Sequence, residues 1–325
     1  MNIRTLGKTG YQVSEIGLGC WQLGESFGPV NDETATEILK TARSLDVNFW
    51  DTADVYGAGQ SERRIGGFKD KNGVLVATKL GRGPQFEGMT KYNKARIKES
   101  LTGSIKNLGV ETLDLAQLHC VPIEVLRDGE IFTWMDDMQT EGLIRFWGAS
   151  VQTVEEGLLA MRSDNCVSLQ TIFNLFRQDA IEGLFPTAQK NNVGIIVRLP
   201  LASGLLSGKM TKTTTFTAGD HRNFNRDGGS FYVGETFSGL PFEKGVGFAD
   251  EVKHWLPTGM SLADLALRWI LDQPAVSTII AGVSRPDQLK GNAAASRMDP
   301  LEPSLVAKLK DFYLEKVRPE VRGGI

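Results

Sequence analysis

Residues 113–149 read LDLAQLHCVPIEVLRDGEIFTWMDDMQTEGLIRFWGA. The stretch opens on an apolar run, Leu113 to His119, passes into an amphipathic segment over Val125 to Thr140, and returns to an apolar run at Ile144 to Ala149. A strand-sized run, a helix-sized segment and a second strand-sized run make one βαβ unit, whose strands lie parallel in a common sheet. The same alternation extends in both directions. Strand candidates precede it at Ile16 to Cys20, Val47 to Thr52 and Val74 to Leu80, and follow it at Val167 to Phe173, Gly194 to Leu199 and Val276 to Ala281. Helix candidates fall between them at Asp32 to Ser44, Asn93 to Asn107, Thr153 to Met161 and Ser261 to Leu271, the last opening on Ser261 as a cap. Roughly eight βα units predict an α/β fold of the closed TIM (β/α)8 type.

Two segments stand outside the alternation. Ile3 to Val13, with the turn Lys8-Thr9-Gly10, reads as an N-terminal β-hairpin placed to plug the barrel floor. Thr211 to Gly247, after the seventh strand, is rich in Gly, Thr, Asn and Phe and follows neither period, so a long functional loop or lid is expected there. No linker or low-complexity tract divides the chain, and residues 1–325 are expected to form one barrel domain.

The 325 residues are 41% hydrophobic and 23% charged, with a formal net charge of -3 and both signs mixed along the chain. No basic face points to nucleic acid or to anionic lipid, so the expected partner is a small molecule. Cys20, Cys120 and Cys166 lie far apart, without a CxxC pair or zinc spacing, and read as free thiols of a reducing compartment. The polar N-terminus and strand-sized apolar runs predict neither leader nor membrane span, and a cytoplasmic protein.

In such a barrel the chemistry sits at the carboxyl ends of the strands, and three strands end in ionisable groups. Asn48-Phe49-Trp50-Asp51 supplies a carboxylate, Ala77-Thr78-Lys79 an ammonium and Gln117-Leu118-His119 an imidazole, with Tyr56 in the loop after Asp51. A lysine and an aspartate in apolar strands are costly unless paired, which predicts an Asp51–Lys79 pair. The ammonium is expected to lower the Tyr56 phenol from about 10 toward neutrality and make it a general acid. Hydride arriving at a carbonyl carbon leaves charge on the oxygen, which Tyr56 and His119 are placed to meet.

The stretch Phe49-Trp50-Asp51-Thr52-Ala53-Asp54-Val55-Tyr56-Gly57, followed by Ser61-Glu62, resembles the aldo-keto reductase superfamily. The resemblance continues through Ala77-Thr78-Lys79 and Leu113 to His119 to Ala281-Gly282-Val283-Ser284-Arg285-Pro286, and so covers nearly the whole chain. It implies a catalytic tetrad of Asp51, Tyr56, Lys79 and His119, acting with NADP(H) on an aldehyde, ketone or sugar, or on the corresponding alcohol. It further implies that Ser150 and Gln170 hold the nicotinamide carboxamide, with Asn174 close by, and that Gly19, Cys20 and Trp21 line the mouth.

Pro200-Leu201-Ala202-Ser203-Gly204-Leu205-Leu206-Ser207-Gly208-Lys209 resembles the family's pyrophosphate loop, where backbone amides and Lys209 meet negative charge. Ser284-Arg285-Pro286 opens a helix carrying Gln288 and Asn292, and Arg285 is expected on the 2′-phosphate, which favours NADP(H) over NAD(H). Three positions depart from the pattern: Arg198 stands where an aromatic ring often stacks on the nicotinamide, Leu199 where serine is frequent, and Val151 where asparagine is. A guanidinium also stacks on flat rings, which keeps Arg198 among the expected cofactor residues.

Other motifs fail on spacing. Gly17-Leu18-Gly19 lacks the third glycine of a dinucleotide fingerprint, and Gly204 to Met210 lacks the P-loop's spacing and final hydroxyl. An aldolase-like Schiff base at Lys79 is opposed by Asp51, which keeps the amine protonated. The alternative kept open is a regulatory nucleotide-binding subunit similar to potassium-channel beta subunits.

Overall fold

The computed structural model describes residues 1–24 and 30–324. Strands β1 (Ile3–Thr5) and β2 (Gln12–Ser14) pair antiparallel as the N-terminal hairpin. The strands β3 (Ile16–Gly19), β4 (Phe49–Asp51), β5 (Leu75–Leu80), β6 (Leu113–His119), β7 (Ile144–Ser150), β8 (Cys166–Ile172), β9 (Gly194–Arg198) and β10 (Val276–Gly282) run parallel in chain order. β10 pairs with β3 and closes the barrel. Strand β4 is shorter than the expected Val47 to Thr52, but its pairing continues one residue beyond each end: Leu75 N donates to Asn48 O and Thr52 N to Ala77 O, both at 2.8 Å.

The barrel floor is built by the hairpin. Leu6 and Val13 are fully buried in one cluster with Phe49, Ala77, Leu115 and Ile196, the lower inward-facing residues of four strands. The connecting turn is a tight 3-10 turn, Gly7–Thr9, ended by Gly10 at φ 73. Side chains alternate along a strand, so two residues further on the same inward face carries Asp51, Lys79, Gln117 and Arg198. The strand period therefore stacks a polar layer directly above an apolar one.

The outer helices follow their caps. Asn31, Asn93 and Thr153 each accept a backbone N–H at the head of Asp32–Ser44, Lys94–Leu108 and Val154–Ala160, and Ser261 forms a reciprocal capping box with Asp264 at Leu262–Leu271. The single helix expected over Val125 to Thr140 is two, Ile123–Asp128 and Glu130–Thr140, because Gly129 takes φ 83 and ends the first while starting the second. The short helices Gln60–Gly67 and Phe185–Lys190 carry too few turns to show a periodicity.

The long loop expected after β9 is present, with two α-helical pieces inside its predicted bounds. Within 211–247 lie a capped turn, His221–Phe224, and the start of a regular helix, Phe242–Lys253. Phe237, Leu240 and Phe242 are buried, and Phe216 packs on Phe237 and Phe242 at ring separations of 5.9 and 5.7 Å. An aromatic cluster anchors the C-terminal part of this segment where a stripe was absent, which is why no periodicity marks it. Among the described residues no helix is long and apolar enough to cross a membrane.

Candidate active site

The strand ends bring Asp51, Lys79 and His119 to one side of the barrel mouth, and the turn after β4 lays Tyr56 over them. Lys79 is fully buried and its three ammonium protons have three acceptors: Asp51 Oδ1, Thr52 O at 2.8 Å and Tyr56 Oη at 3.2 Å. The second carboxylate oxygen of Asp51 accepts from Gln117 Nε2 at 3.0 Å and Gln170 Nε2 at 2.8 Å. The buried ion pair is thus hydrogen-bonded on both sides, the condition under which such a pair is tolerated. Tyr56 Oη accepts from Lys79, so its own hydrogen is not spent on that bond, and Trp21 stacks on its ring at 5.9 Å.

Burial dominates the electrostatics. It raises the Tyr56 phenol; Lys79 pulls it back, Asp51 raises it again, and the balance lies above the ordinary value. This corrects the expectation of a lowered phenol: burial, which penalises the phenolate, outweighs the pull of Lys79, and Asp51 opposes that pull further. Burial lowers the Lys79 ammonium while Asp51 and Tyr56 raise it, and the net direction is up. His119 is held well below its ordinary value by burial and then by Arg82, Lys79 and Arg198, so its imidazole is neutral. Its Nδ1 is buried with no hydrogen-bond partner among the described residues, and its ring meets Tyr56 edge-on at 5.8 Å.

The other expected residues divide into three groups. His119, Ser150 and Gln170 align in register across β6, β7 and β8, and Ser150 Oγ lies 3.5 Å from Gln170 Oε1. Gln170 is nevertheless engaged through its amide nitrogen with Asp51 and with Gln117 Oε1 at 3.2 Å. Asn174 does not offer its amide to the mouth: it donates to Leu199 O at 2.9 Å and Ser238 Oγ at 2.8 Å and accepts from Phe176 N at 2.9 Å. It ties two loops together, one of them carrying Leu199 at φ 54.

Around β3, Gly19 pairs with Gly282, while Cys20 is buried and donates its N–H to Asp51 O at 2.8 Å. Past β9, Leu201, Ser203 and Gly204 form a tight bend in which Ala202, Ser203 and Gly204 take φ 47, 56 and 100. For the non-glycine residues Ala202 and Ser203 this conformation costs about 1–3 kcal/mol each and marks a loop whose shape is imposed by its surroundings. Ser203 Oγ is spent on that shape, donating to Glu235 O at 3.3 Å and accepting from Phe237 N at 3.1 Å. Lys209 is exposed and forms no ion pair among the described residues.

At β10, Ser284 and Arg285 lead into the helix Pro286–Ala294, with proline at its first turn. Gln288 Oε1 accepts from Ser284 N at 2.7 Å and Arg285 N at 3.2 Å, so it caps the helix, while Asn292 lies buried one turn on. Arg285 is exposed and, like Lys209, forms no ion pair among the described residues.

Several residues of the site are not legible as separate signals. Gln117 stands two positions before His119 on the same strand face, and that period identifies it. Ser61 and Glu62 are buttresses: Ser61 Oγ donates to Cys20 O at 2.8 Å, and Glu62 accepts from Thr78 Oγ1 at 2.6 Å and Asn107 Nδ2 at 3.0 Å. Arg82, in the loop after β5, and Glu235, in the segment after β9, meet at 3.2 Å across the mouth, 153 residues apart in sequence. Arg198 Nη2 lies 3.8 Å from Glu235, 3.1 Å from Val151 O and 3.5 Å from Cys120 Sγ. No local pattern announces that meeting.

The chain whose closed parallel barrel carries this Asp51–Lys79–Tyr56 cluster at its mouth matches the family model described as the aldo/keto reductase family over residues 15–313. The chain belongs to the aldo/keto reductase family of nicotinamide-dependent oxidoreductases. It is 30% identical over 302 residues to Aldo-keto reductase YhdN of Bacillus subtilis (strain 168), covering 89% of this chain and 87% of that one. It is also 30% identical over 343 residues to a probable voltage-gated potassium channel subunit beta of Oryza sativa subsp. japonica, covering 97% and 98%. Among solved structures it resembles the glycerol dehydrogenase AKR11B4 from Gluconobacter oxydans, with TM-score 0.79, 27% identity and 100% and 98% coverage. Aldo-keto reductase AKR11C1 from Bacillus halodurans, in its holo form, gives TM-score 0.76, 27% identity and 96% coverage of both chains.

Proposed function

We propose that this oxidoreductase moves hydride between NADP(H) and the carbonyl carbon of an aldehyde, ketone or sugar, or the corresponding alcohol, with Tyr56 as proton donor and acceptor. The observation that carries the reading is the relay at the mouth: Lys79 spends one proton on Tyr56 Oη, leaving the phenol hydrogen free for a substrate oxygen. A phenol raised by burial is protonated at neutral pH, the state that carbonyl reduction requires. His119, neutral and with Nδ1 unpaired among the described residues, supplies a second hydrogen-bonding group to the same oxygen.

The residues present fit a phosphorylated nicotinamide nucleotide. Lys209 and Arg285 are exposed cations without carboxylate partners among the described residues, and Arg285 stands at the head of a nine-residue helix whose N-terminus favours anions. Arg285 would hold the 2′-phosphate, which favours NADP(H) over NAD(H); Lys209 and the bend at Leu201, Ser203 and Gly204 would hold the pyrophosphate. Ser150 and Gln170 would orient the carboxamide, and Arg198 would lie along the nicotinamide. When bound, the nicotinamide supplies or accepts the hydride; the protein's groups orient both partners and handle the proton.

Fluorescence titration with NADPH and NADH, followed by assay on aldehydes, ketones and sugars, tests the reading. Tyr56→Phe is expected to bind cofactor normally and to lose about 10²–10⁴-fold in reduction rate; undiminished turnover would reject Tyr56 as the donor. The relatives named as channel beta subunits favour one second reading, nucleotide sensing for a partner protein. Tight cofactor binding without turnover of any carbonyl compound is the result that would select it.

A further inference from the structure

The mouth holds a charge cluster that the proton relay does not use. Glu235 is 4% exposed and accepts from Arg82 Nη1 at 3.2 Å through both oxygens and from Gln152 Nε2 at 3.2 Å, with Arg198 at 3.8 Å on its other side. Two guanidinium groups therefore face one carboxylate. The other buried carboxylate near them, Glu156, is committed to Gln152 N at 2.6 Å, and Asp51 is neutralised by Lys79.

A guanidinium that serves only as a tie presents its fork to its partner. Arg82 spends one nitrogen on Glu235; its Nε and Nη2 make no hydrogen bond among the described residues, and its side chain is 26% exposed. The plane is nonetheless fixed, because the guanidinium packs over the Phe231 ring at 4.9 Å while Glu235 holds one end. Glu235, which Arg82 holds at 3.2 Å, lies 3.8 Å from Arg198, the inward-facing residue that ends β9, and this places Arg82 at the mouth that a carbonyl compound would enter. A held guanidinium with donors to spare matches a carboxylate or phosphate oxygen pair.

We infer that Arg82, positioned by Glu235 and Phe231, is the specificity-determining residue of this site and selects carbonyl substrates that carry an anionic group, a carboxylate or a phosphate. The inference rests on the reductase reading for its substrate and on the cluster geometry for its binding group. Two matched pairs test it: 4-carboxybenzaldehyde against 4-nitrobenzaldehyde, and glyceraldehyde 3-phosphate against glyceraldehyde. Arg82→Met is compared with wild type, with Arg82→Lys, and with Arg82→Met combined with Glu235→Gln, which leaves no unpaired buried carboxylate if the single variant folds poorly.

The anionic-over-neutral ratio of kcat/KM is expected to fall about tenfold or more in the Met variants, through KM, with Lys intermediate. Collapse of one pair's ratio alone identifies that anion. An unchanged ratio in both pairs, or an equal loss for both members of each pair, overturns the inference. If no aldehyde is turned over, the reductase reading has failed, and calorimetry with benzoate and phenyl phosphate against benzyl alcohol still decides this one. Weakening of the anions relative to the alcohol in Arg82→Met supports it, and equal affinities in wild type and variant reject it.

Discussion

Lys79 has as many acceptors as protons, and Asp51 is the one that carries charge. Asp51→Asn leaves a buried ammonium without its counterion, and is expected to cost about 3–5 kcal/mol of stability, read from the urea midpoint. A loss under about 1 kcal/mol would mean that Lys79 is neutral in the variant. Behind the relay, Asp54 accepts from Ser100 Oγ at 2.7 Å, and its other oxygen has no partner among the described residues. Burial pushes its carboxyl up to about 7. Between an unfolded value of about 3.9 and that folded value, the unfolded chain has lost a proton that the native state keeps, so stability falls as pH rises through this window. Asp54→Asn is expected to shrink the difference in urea midpoint between pH 5 and pH 8; an undiminished difference would show that Asp54 does not cause it. The meeting of Asp51, Lys79 and His119 was legible in the sequence because ionisable residues ending apolar strands are costly and rare. The sign of the Tyr56 shift was not, since it depends on how deeply the folded chain buries the phenol, which outweighs the pull of Lys79.

Elements were legible where a stripe or a cap is sufficient to specify them. Asn93, Thr153 and Ser261 head their helices because each side chain takes up a backbone N–H that would otherwise be unpaired. The break at Gly129 was missed because the apolar stripe runs through it, while the backbone there turns to φ 83. Gly129→Ala has room for its methyl, with Phe132 Cδ2 the nearest atom at 3.7 Å, so it is expected to cost only the backbone penalty of about 1–2 kcal/mol. Gly7→Ala is expected to cost more, because its methyl would stand 2.4 Å from Gly194 N and lift the hairpin off the floor. Denaturant midpoints for the two variants rank them, and the reverse order would mean that the floor yields easily.

The whole barrel was readable from the alternation of strands and helices, since strands adjacent in the chain are adjacent in the sheet. Contacts between distant segments were not. Arg322 is the clearest case: it donates to Gly239 O at 2.9 Å, Arg226 O at 3.2 Å and Asp227 Oδ1 at 2.6 Å, clasping the segment that presents Glu235. Arg322→Ala is expected to make trypsin cut at Arg226 several-fold faster in the native protein; an unchanged rate would mean that the aromatic cluster alone holds the segment.

The pairing of Trp21 with Tyr56 has an optical consequence. Trp50, Trp147 and Trp269 are sealed in the core, and Trp134 and Trp255 lie on the outer helical layer, so Trp21 is the indole set against the phenol. A ligand that settles against Tyr56 is expected to change the emission of Trp21 more than that of the other tryptophans, so the protein carries its own reporter of occupancy beside the phenol.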